Sequence, residues 1–261
     1  MSNNNIILEH KTSYHDYSLF FKFIEKFEPS GYVGIDRNDP LVLELEEMTE
    51  VNNQYFFLGD LFEAKFLFVS KRSIEVIGIE ADELTPYHGV EAVHPEEVRR
   101  NTAGWGKLIN QGNELFSAKG GSSLLSVNMK MRNAGGLYTE MLYQDYMFYS
   151  ESPRSTVYVL QVHTNVEGFK LNKSGLHYYA GNDITYFRYP DDKLLNQGYF
   201  FTKREFEILK LIELGLTNDD IADKLCISLF TINNHRANIL AKSDKPRISD
   251  VILELHETGY Y

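Results

Sequence analysis

Asn233 and Asn234 stand side by side with Ala237 about one helical turn further on, and that trio has a definable chemistry. An Asn amide donates and accepts at once, so it matches the N6/N7 edge of adenine. An Ala methyl packs on the thymine methyl, and together these groups suit A·T readout in a major groove. Thr231, Arg236, Asn238 and Lys242 flank the three at angles suited to phosphate contacts, which fix register without specifying sequence. His235 has no second ligand three or four residues away, so metal ligation gives way to a structural hydrogen bond or a phosphate contact. A second group, Met129, Met131, Met141, Tyr143, Tyr146 and Phe148, offers polarizable and aromatic surface that could line an apolar pocket. The same stripe at strand spacing is more often ordinary core than a ligand box, and the core reading is the stronger of the two.

The amides need a helix that is itself held by others. Thr202 and Glu205 have capping-box spacing, which predicts a helix from Lys203 to Leu214 with Gly215 as its stop. Ile208, Leu209 and Ile212 fall on one face of it and Glu207, Lys210 and Glu213 on the other. Thr217 caps a second helix, Asn218 to Leu225, where Ile221 and Leu225 point inward and the small Ala222 lets another helix cross closely. A turn at Cys226-Ile227 leads to Ser228, the cap of a third helix. That helix, tight turn, helix sequence can lay one element in a groove. At about 100° per residue, Ile232 and Ile239 share the buried side while Asn233, Asn234, Ala237 and Ala241 share the opposite one.

The net charge of -11 argues against binding nucleic acid by an all-over positive field. Residues 201–261 hold eight basic and ten acidic side chains, net -2, which leaves -9 upstream. Within 224–247 the sign reverses: Lys224, Arg236, Lys242, Lys245 and Arg247 stand against Asp244 alone, a local +4 where phosphates would approach.

Thr202-x-Arg204-Glu205-x-Glu207-x-Leu209, Gly215-Leu216-Thr217-Asn218, Ile221-Ala222-x-x-Leu225 and Ile227-Ser228-x-x-Thr231-Ile232-x-x-His235-Arg236-x-Asn238-Ile239-x-x-Lys242 together resemble the LuxR-type helix-turn-helix over residues 199–261. The resemblance implies that Asn233, Asn234 and Ala237 approach bases, and that Thr231, His235, Arg236, Asn238 and Lys242 lie near the backbone, with Lys224 in the same basic segment. It also implies a fourth helix, Asp250 to Thr258 capped by Ser249, of the kind that often builds a homodimer. Two positions depart from the family pattern. Leu229 and Phe230 replace a usually polar pair and are expected to bury against the upstream domain, and Ser243 replaces a usual leucine, which bears on how the fourth helix packs.

Upstream, residues 124–164 alternate with the period of half-buried strands: Leu125, Val127, Met129 and Met131 on one face, Ser126, Asn128, Lys130 and Arg132 on the other. Asn133-Ala-Gly-Gly136 supplies a turn, Leu137 to Tyr149 a second strand, and Thr156 to His163 a third. Tyr55 to Leu61 and Lys65 to Ser70 read as earlier strands, with helices at Ile74 to Ile79 and Glu96 to Gln111. This order, with Phe66-Leu-Phe-Val-Ser70, His94-Pro95-Glu96-Glu97 and Asn133-Ala-Gly-Gly136, resembles a PAS sensor domain over 55–166. The resemblance implies a pocket between sheet and helices, and as the domain's signal a small-molecule ligand or a partner.

Residues 1–54 read as a helical extension, Tyr14 to Phe27 and Pro40 to Asn52, and 167–198 as a docked connector rich in glycine (Gly168, Gly175, Gly181, Gly198) and tyrosine. The expected chain is thus α+β: a PAS-like antiparallel sheet with flanking helices, plus a C-terminal four-helix LuxR-type domain. Neither a secretory signal nor an apolar run of spanning length is present, which points to a cytoplasmic protein away from membranes. Cys226 is the single cysteine, so a cysteine-built zinc site and a cysteinyl–flavin adduct upstream are both excluded. His94 before Pro95 reads as a helix anchor in preference to a haem ligand. No cofactor and no metal site is expected. The chain carries no Gly-rich phosphate loop, no His-Glu-x-x-His and no nucleophile elbow, so no catalytic residue is assigned and an enzyme is not expected. The residues support a double-stranded-DNA-binding regulator first. A regulator that uses the helix-turn-helix to dock a protein is the alternative, suggested by the acidic total and by Leu229 and Phe230.

Overall fold

The computed structural model describes residues 16–169, 177–195, 201–243 and 245–257. Tyr14, Gly175, Gly198, Asp244 and Thr258, which enter the expectations above, lie outside the described residues.

Side chains that alternate along six strands build one sheet. The strands are β1 Gln54–Asp60, β2 Lys65–Val69, β3 Ser122–Arg132, β4 Tyr138–Ser150, β5 Thr156–Asn165 and β6 Tyr178–Gly181, in the order β2-β1-β5-β4-β3-β6, with every neighbouring pair antiparallel. Helices α3 Ser73–Ile77, α4 Pro86–Glu91 and α5 Val98–Ala118 lie between β2 and β3 in the chain. This is the PAS-like antiparallel sheet that the strand pattern implies, and the β3-β4-β5 meander starts and ends within a few residues of its predicted limits. His94 anchors the turn before α5 as expected, its Nδ1 accepting from the Glu96 N–H at 3.2 Å.

The expectation of half-buried strands needs correcting, because both faces of the sheet are covered. On one face α1 Ser18–Phe27 and α2 Pro40–Val51 press Phe20, Phe23, Val42 and Leu45 against Phe56, Leu58, Leu160 and Val162. These helices fall in the segment read as an extension, yet they share a core with the sheet. On the other face α5 lays Leu108 and Leu115 on Leu61, Leu125, Met147 and Val157. A Cβ at Gly112 would run into the Leu61 Cδ2, the far end of a flexible side chain that would have to turn aside. Ser126 and Asn128, read as solvent-facing, are buried: the backbone of His177 exchanges hydrogen bonds with Asn128, whose Oδ1 accepts from the His177 N–H at 2.7 Å. From there β6 runs along the β3 edge, and α6 Asp192–Leu195 adds Leu194 and Leu195 to Leu142 and Val166. Polar groups inside this core pair with one another. The Gln54 Nε2 donates to the Tyr17 Oη at 2.6 Å and to the Thr164 Oγ1 at 2.7 Å, and the Tyr17 hydroxyl donates to the Gln144 Oε1 at 3.1 Å.

The C-terminal domain is four helices: α7 Lys203–Glu213, α8 Asn218–Leu225, α9 Leu229–Ser243 and α10 Ile248–Glu257. Ile208, Leu209, Ile221, Ile232, Ile239, Val251 and Leu255 make its core. Gly215 takes a φ of 81° and ends α7 as its sequence position suggests. The fourth helix begins two residues before its expected start, where Arg247 grips Asp250 through two hydrogen bonds of 3.0 and 2.8 Å.

Shared burial of α1 with the sheet predicts that Phe20→Ala lowers the unfolding free energy of the upstream domain by about 3–5 kcal/mol, the usual cost of an emptied aromatic site. Urea unfolding followed by circular dichroism measures this, and a loss below about 1 kcal/mol would show that α1 is not part of the core.

Candidate functional site

Helix α9 separates its residues by face. Ile232 and Ile239 are fully buried, whereas Asn233, Asn234, Ala237 and Asn238 are exposed, and Thr231, His235 and Arg236 are half-buried at the flanks. Ser228 caps the helix as the sequence suggests, its Oγ accepting from the Thr231 N–H at 3.1 Å. The two amides differ in a way the sequence did not reveal. The Asn218 Nδ2 on α8 donates to the Asn233 Oδ1 at 3.0 Å, which fixes Asn233 and commits its carbonyl oxygen. Asn234 has no such tether among the described residues.

Lys242 sits differently from its expected place beside phosphates. Its ammonium donates to the Glu205 Oε2 at 2.7 Å, and the same carboxylate oxygen accepts from the Thr202 N–H at 2.6 Å to close the α7 capping box. Glu205 is only 2% exposed. Burial pushes its carboxyl up, but the Lys242 ammonium and the Thr202 N–H outweigh that and hold it below the usual carboxylate range. Lys242 therefore clamps the end of α9 to the start of α7. Lys245 and Arg247 are also engaged, with Glu254 at 2.9 Å and Asp250 at 2.8 Å. Of the basic residues between 224 and 247, Lys224 and Arg236 make no ion pair among the described residues.

Leu229 and Phe230 are exposed, Phe230 at 73%, so the expectation that they bury against the upstream domain is not met. They sit in the first turn of α9 and project beside the amide face instead. Ser243 is buried, and its hydroxyl donates to the Ile239 carbonyl at 2.9 Å, turning back on α9 where a leucine would have filled space toward α10.

A cavity lies between α4, α5 and the sheet, with about 50 Å³ of free space, beside an adjoining one of about 120 Å³ that shares Phe57, Phe66, Trp105 and Gln161 with it. Its floor is two cross-strand rows. Tyr55, His163, Tyr143 and Val127 form one and Phe57, Gln161, Asp145 and Leu125 the other, each residue opposite the next in register. Of the residues expected to line a pocket, Met129 and Tyr143 do so. Met131 and Met141 share that face but pack in the core beside the cavity. Tyr146 and Phe148 are on the opposite face, against Phe187 and Tyr158, so the six do not form one pocket. An odd separation within β4 could have revealed this from the sequence, since Tyr143 and Tyr146 must point to opposite sides.

The polar groups of the floor were missed altogether. The His163 Nε2–H donates to the Gln161 Oε1 at 2.6 Å, and the Gln161 Nε2 donates to the Asp145 Oδ1. Burial alone pushes the Asp145 carboxyl up to about 7 against Gln161's opposing hydrogen bond, and pushes His163 down to about 3, which keeps its ring neutral. The Tyr143 hydroxyl and the His163 Nδ1 are buried without a hydrogen-bond partner.

Among the described residues no group of His, Cys, Asp and Glu is arranged to hold a metal ion, and no helix is long and apolar enough to cross a membrane.

Residues 200–247 match the family described as bacterial regulatory proteins, luxR family. With its four-helix geometry, the C-terminal domain is a LuxR-type helix-turn-helix domain. Among proteins similar to the chain, the oxygen regulatory protein NreC of Staphylococcus haemolyticus is 36% identical over 77 residues, 28% of this chain and 36% of that protein. The transcriptional regulatory protein LiaR of Bacillus subtilis is 51% identical over 43 residues, 16% of this chain and 20% of that protein. The chain thus spans well under two thirds of either relative. Among solved structures, the phage VqmA–DPO complex is 15% identical, covering 86% of this chain and 90% of that one, with a TM-score of 0.35. The N-terminal domain of a diguanylate cyclase with PAS/PAC sensor from Marinobacter aquaeolei is 8% identical, covering 44% and 95%, with a TM-score of 0.30. At such values the shared feature is a loose overall likeness.

Two outcomes follow from these contacts. Lys242→Met strands a buried carboxylate and is expected to lower stability by about 1–2 kcal/mol, a figure discounted for the partly exposed ammonium. Urea midpoints unchanged from the parent would show that the clamp contributes nothing. Asp145 behaves in the opposite sense to a salt-bridged acid. Its folded-state value is raised, so the folded chain holds the proton more tightly, and stability present below the unfolded value is lost as pH rises through about 7. Asp145→Asn removes that loss, on the order of 4 kcal/mol for a shift of about three units. Its melting temperature should exceed the parent's at about pH 8 and converge with it toward about pH 4. A pH-independent difference would contradict this origin.

Proposed function

We propose that the protein is a bacterial transcription regulator that reads double-stranded DNA through α9 under the control of the upstream PAS-like domain. The observation that carries this reading is the exposed amide stripe of α9, held by a capped α7 and α8 in a segment that matches the LuxR family. The relatives' own names, regulators both, support it. In this reading Asn233, Asn234 and Ala237 face bases, while Thr231, His235, Arg236, Asn238 and Lys224 lie along the backbone. Lys242 contributes to the phosphate face only through whatever its bond to Glu205 leaves available. The PAS-like domain over 55–166, completed by α1 and α2, takes a small molecule in the cavity beneath α5, and two chains work as a homodimer.

The different restraints on the two amides give them different tasks. Asn234 can turn to donate and accept at one adenine, whereas Asn233, its oxygen engaged by Asn218, presents donors. Exposed Leu229 and Phe230 favour a second reading, in which this end of α9 docks a protein partner.

Asn234→Ala should cost about 1–3 kcal/mol at a cognate operator and relax preference at one position. Arg236→Ala should weaken all sequences alike and reduce the salt slope by about one. Fluorescence anisotropy on operator and scrambled duplexes across a salt series measures both. Equal loss on every duplex for the two variants would refute the division of roles, and no duplex binding even at low salt would favour the docking surface.

A further inference from the structure

The cavity floor asks for a particular kind of guest. Asp145, buried, uses its Oδ1 to accept from Gln161, which is its one side-chain hydrogen bond among the described residues and leaves its Oδ2 without one. The His163 Nε2–H is spent on Gln161, so the neutral ring offers the lone pair of Nδ1, and the Tyr143 hydroxyl is unpartnered beside it. Three neighbouring groups thus present oxygen or nitrogen lone pairs, and one of them is a carboxyl group. None of the described residues that line this cavity is Lys or Arg. Lys65 lines the adjoining cavity, and Arg100 on α5 is paired with Glu97. Much of the lining is aromatic: Phe66 and Trp105 border the cavity together with Tyr55 and Phe57 of its floor.

We infer that the cavity binds a small organic cation, a protonated amine or amidine on a compact apolar body, with Asp145 as its counter-ion. A buried carboxylate without a cationic neighbour is costly, and a guest carrying the positive charge supplies what the protein lacks. Ring faces attract a desolvated cation, so the walls favour the same charge as the floor. Donors on an ammonium or amidinium group also satisfy the Oδ2 of Asp145, the Nδ1 of His163 and the oxygen of Tyr143. An anionic guest would meet the carboxyl group with no Lys or Arg lining the cavity to compensate, and a guest with acceptors alone could take the Tyr143 O–H but would leave the Asp145 Oδ2 and the His163 Nδ1 unpaired. The modest space limits the body of the guest to about one small ring. The inference deepens the sensor reading proposed above and rests on it.

Trp105, the single tryptophan of the chain, lines the cavity and reports on it directly. The full chain is titrated with benzylamine and, separately, with benzyl alcohol, which has nearly the same shape and no charge. Benzylamine should quench or shift the Trp105 emission saturably and raise the melting temperature, binding at least about tenfold more tightly than the alcohol. Asp145→Asn, with its fold checked by circular dichroism, should lose about tenfold or more of the benzylamine affinity and leave that of benzyl alcohol unchanged. Equal affinities for the two probes, no saturable response to benzylamine, or an unaltered affinity in Asp145→Asn would each overturn the cation assignment. Operator binding measured with and without benzylamine keeps the two proposals apart. Cavity binding without any change in DNA affinity supports the guest and sinks the control by the sensor. Intact DNA binding with an unresponsive cavity does the reverse.

Discussion

Burial of both sheet faces is the constraint on which the upstream domain depends. A strand with one wet face can leave its polar residues in water, but here α1 and α2 cover one side and α3, α4 and α5 the other. A polar side chain between them that finds no partner in the sheet forfeits its hydration with no return. Cross-strand register supplies those partners. Asp145 lies opposite Gln161 and Tyr143 opposite His163, so the chain of hydrogen bonds across the floor follows from which residues face each other. On the other face Gln54, Tyr17, Thr164 and Gln144 do the same and tie the start of α1 to three strands. The unpartnered Tyr143 hydroxyl and His163 Nδ1 lie where the sheet borders the cavity, while the Gln54 Oε1, Ser126 Oγ and Thr139 Oγ1 are also buried without a partner among the described residues.

The LuxR-type domain rests on a charge placed deliberately in a poor location. Glu205 serves as the reciprocal arm of the α7 capping box, yet the close approach of α9 buries it. Lys242 makes that burial tolerable and in doing so sets where α9 ends relative to α7. The N-terminal half of α9 is set by Asn218 reaching Asn233 from α8. Two polar contacts, about three turns apart, therefore orient the exposed face that the core isoleucines alone would leave free to rock.

The helices of this domain were legible because each boundary has a local cause. Thr202, Thr217 and Ser228 cap, Gly215 stops, and the spacing of Ile232 and Ile239 settles the inward side. The β3-β4-β5 meander was legible for the same reason. Failures arose where the deciding partner is remote in sequence. Nothing near Asn128 announces that His177 bonds to it, nor near Ser126 that Tyr179 pairs opposite it, and a polar residue alternating with apolar ones reads as wet until the covering segment is known. Lys242 looks free for phosphate until Glu205, 37 residues away, is placed beside it. Leu229 and Phe230 were expected against the upstream domain on their hydrophobicity, yet both are exposed in the first turn of α9. Helix α4 was missed although Thr85-Pro86 carries a local signal, a cap residue followed by proline in the first turn.

Pairing among charges also changes what the basic segment can do. Counted from the sequence, 224–247 offers five cations, but Lys242, Lys245 and Arg247 are each engaged by an acid within the same domain. A cation shared with a carboxylate attracts phosphate less, because the field of the pair falls off faster than that of a single charge and contact requires the pair to open. Each phosphate neutralised adds about one unit to the logarithmic salt dependence, so a protomer with Lys224 and Arg236 as its unengaged bases would have a shallow slope. The large negative charge of the whole chain works in the same direction by opposing weak, sequence-blind association. Under the DNA-reading role proposed above, such a domain gains little from electrostatics on arbitrary DNA, and discrimination falls to the neutral amide and methyl groups of α9. In that reading the acidity of the chain, which at first argues against nucleic acid, suppresses non-specific binding and leaves Asn234 and its neighbours to decide where the domain settles.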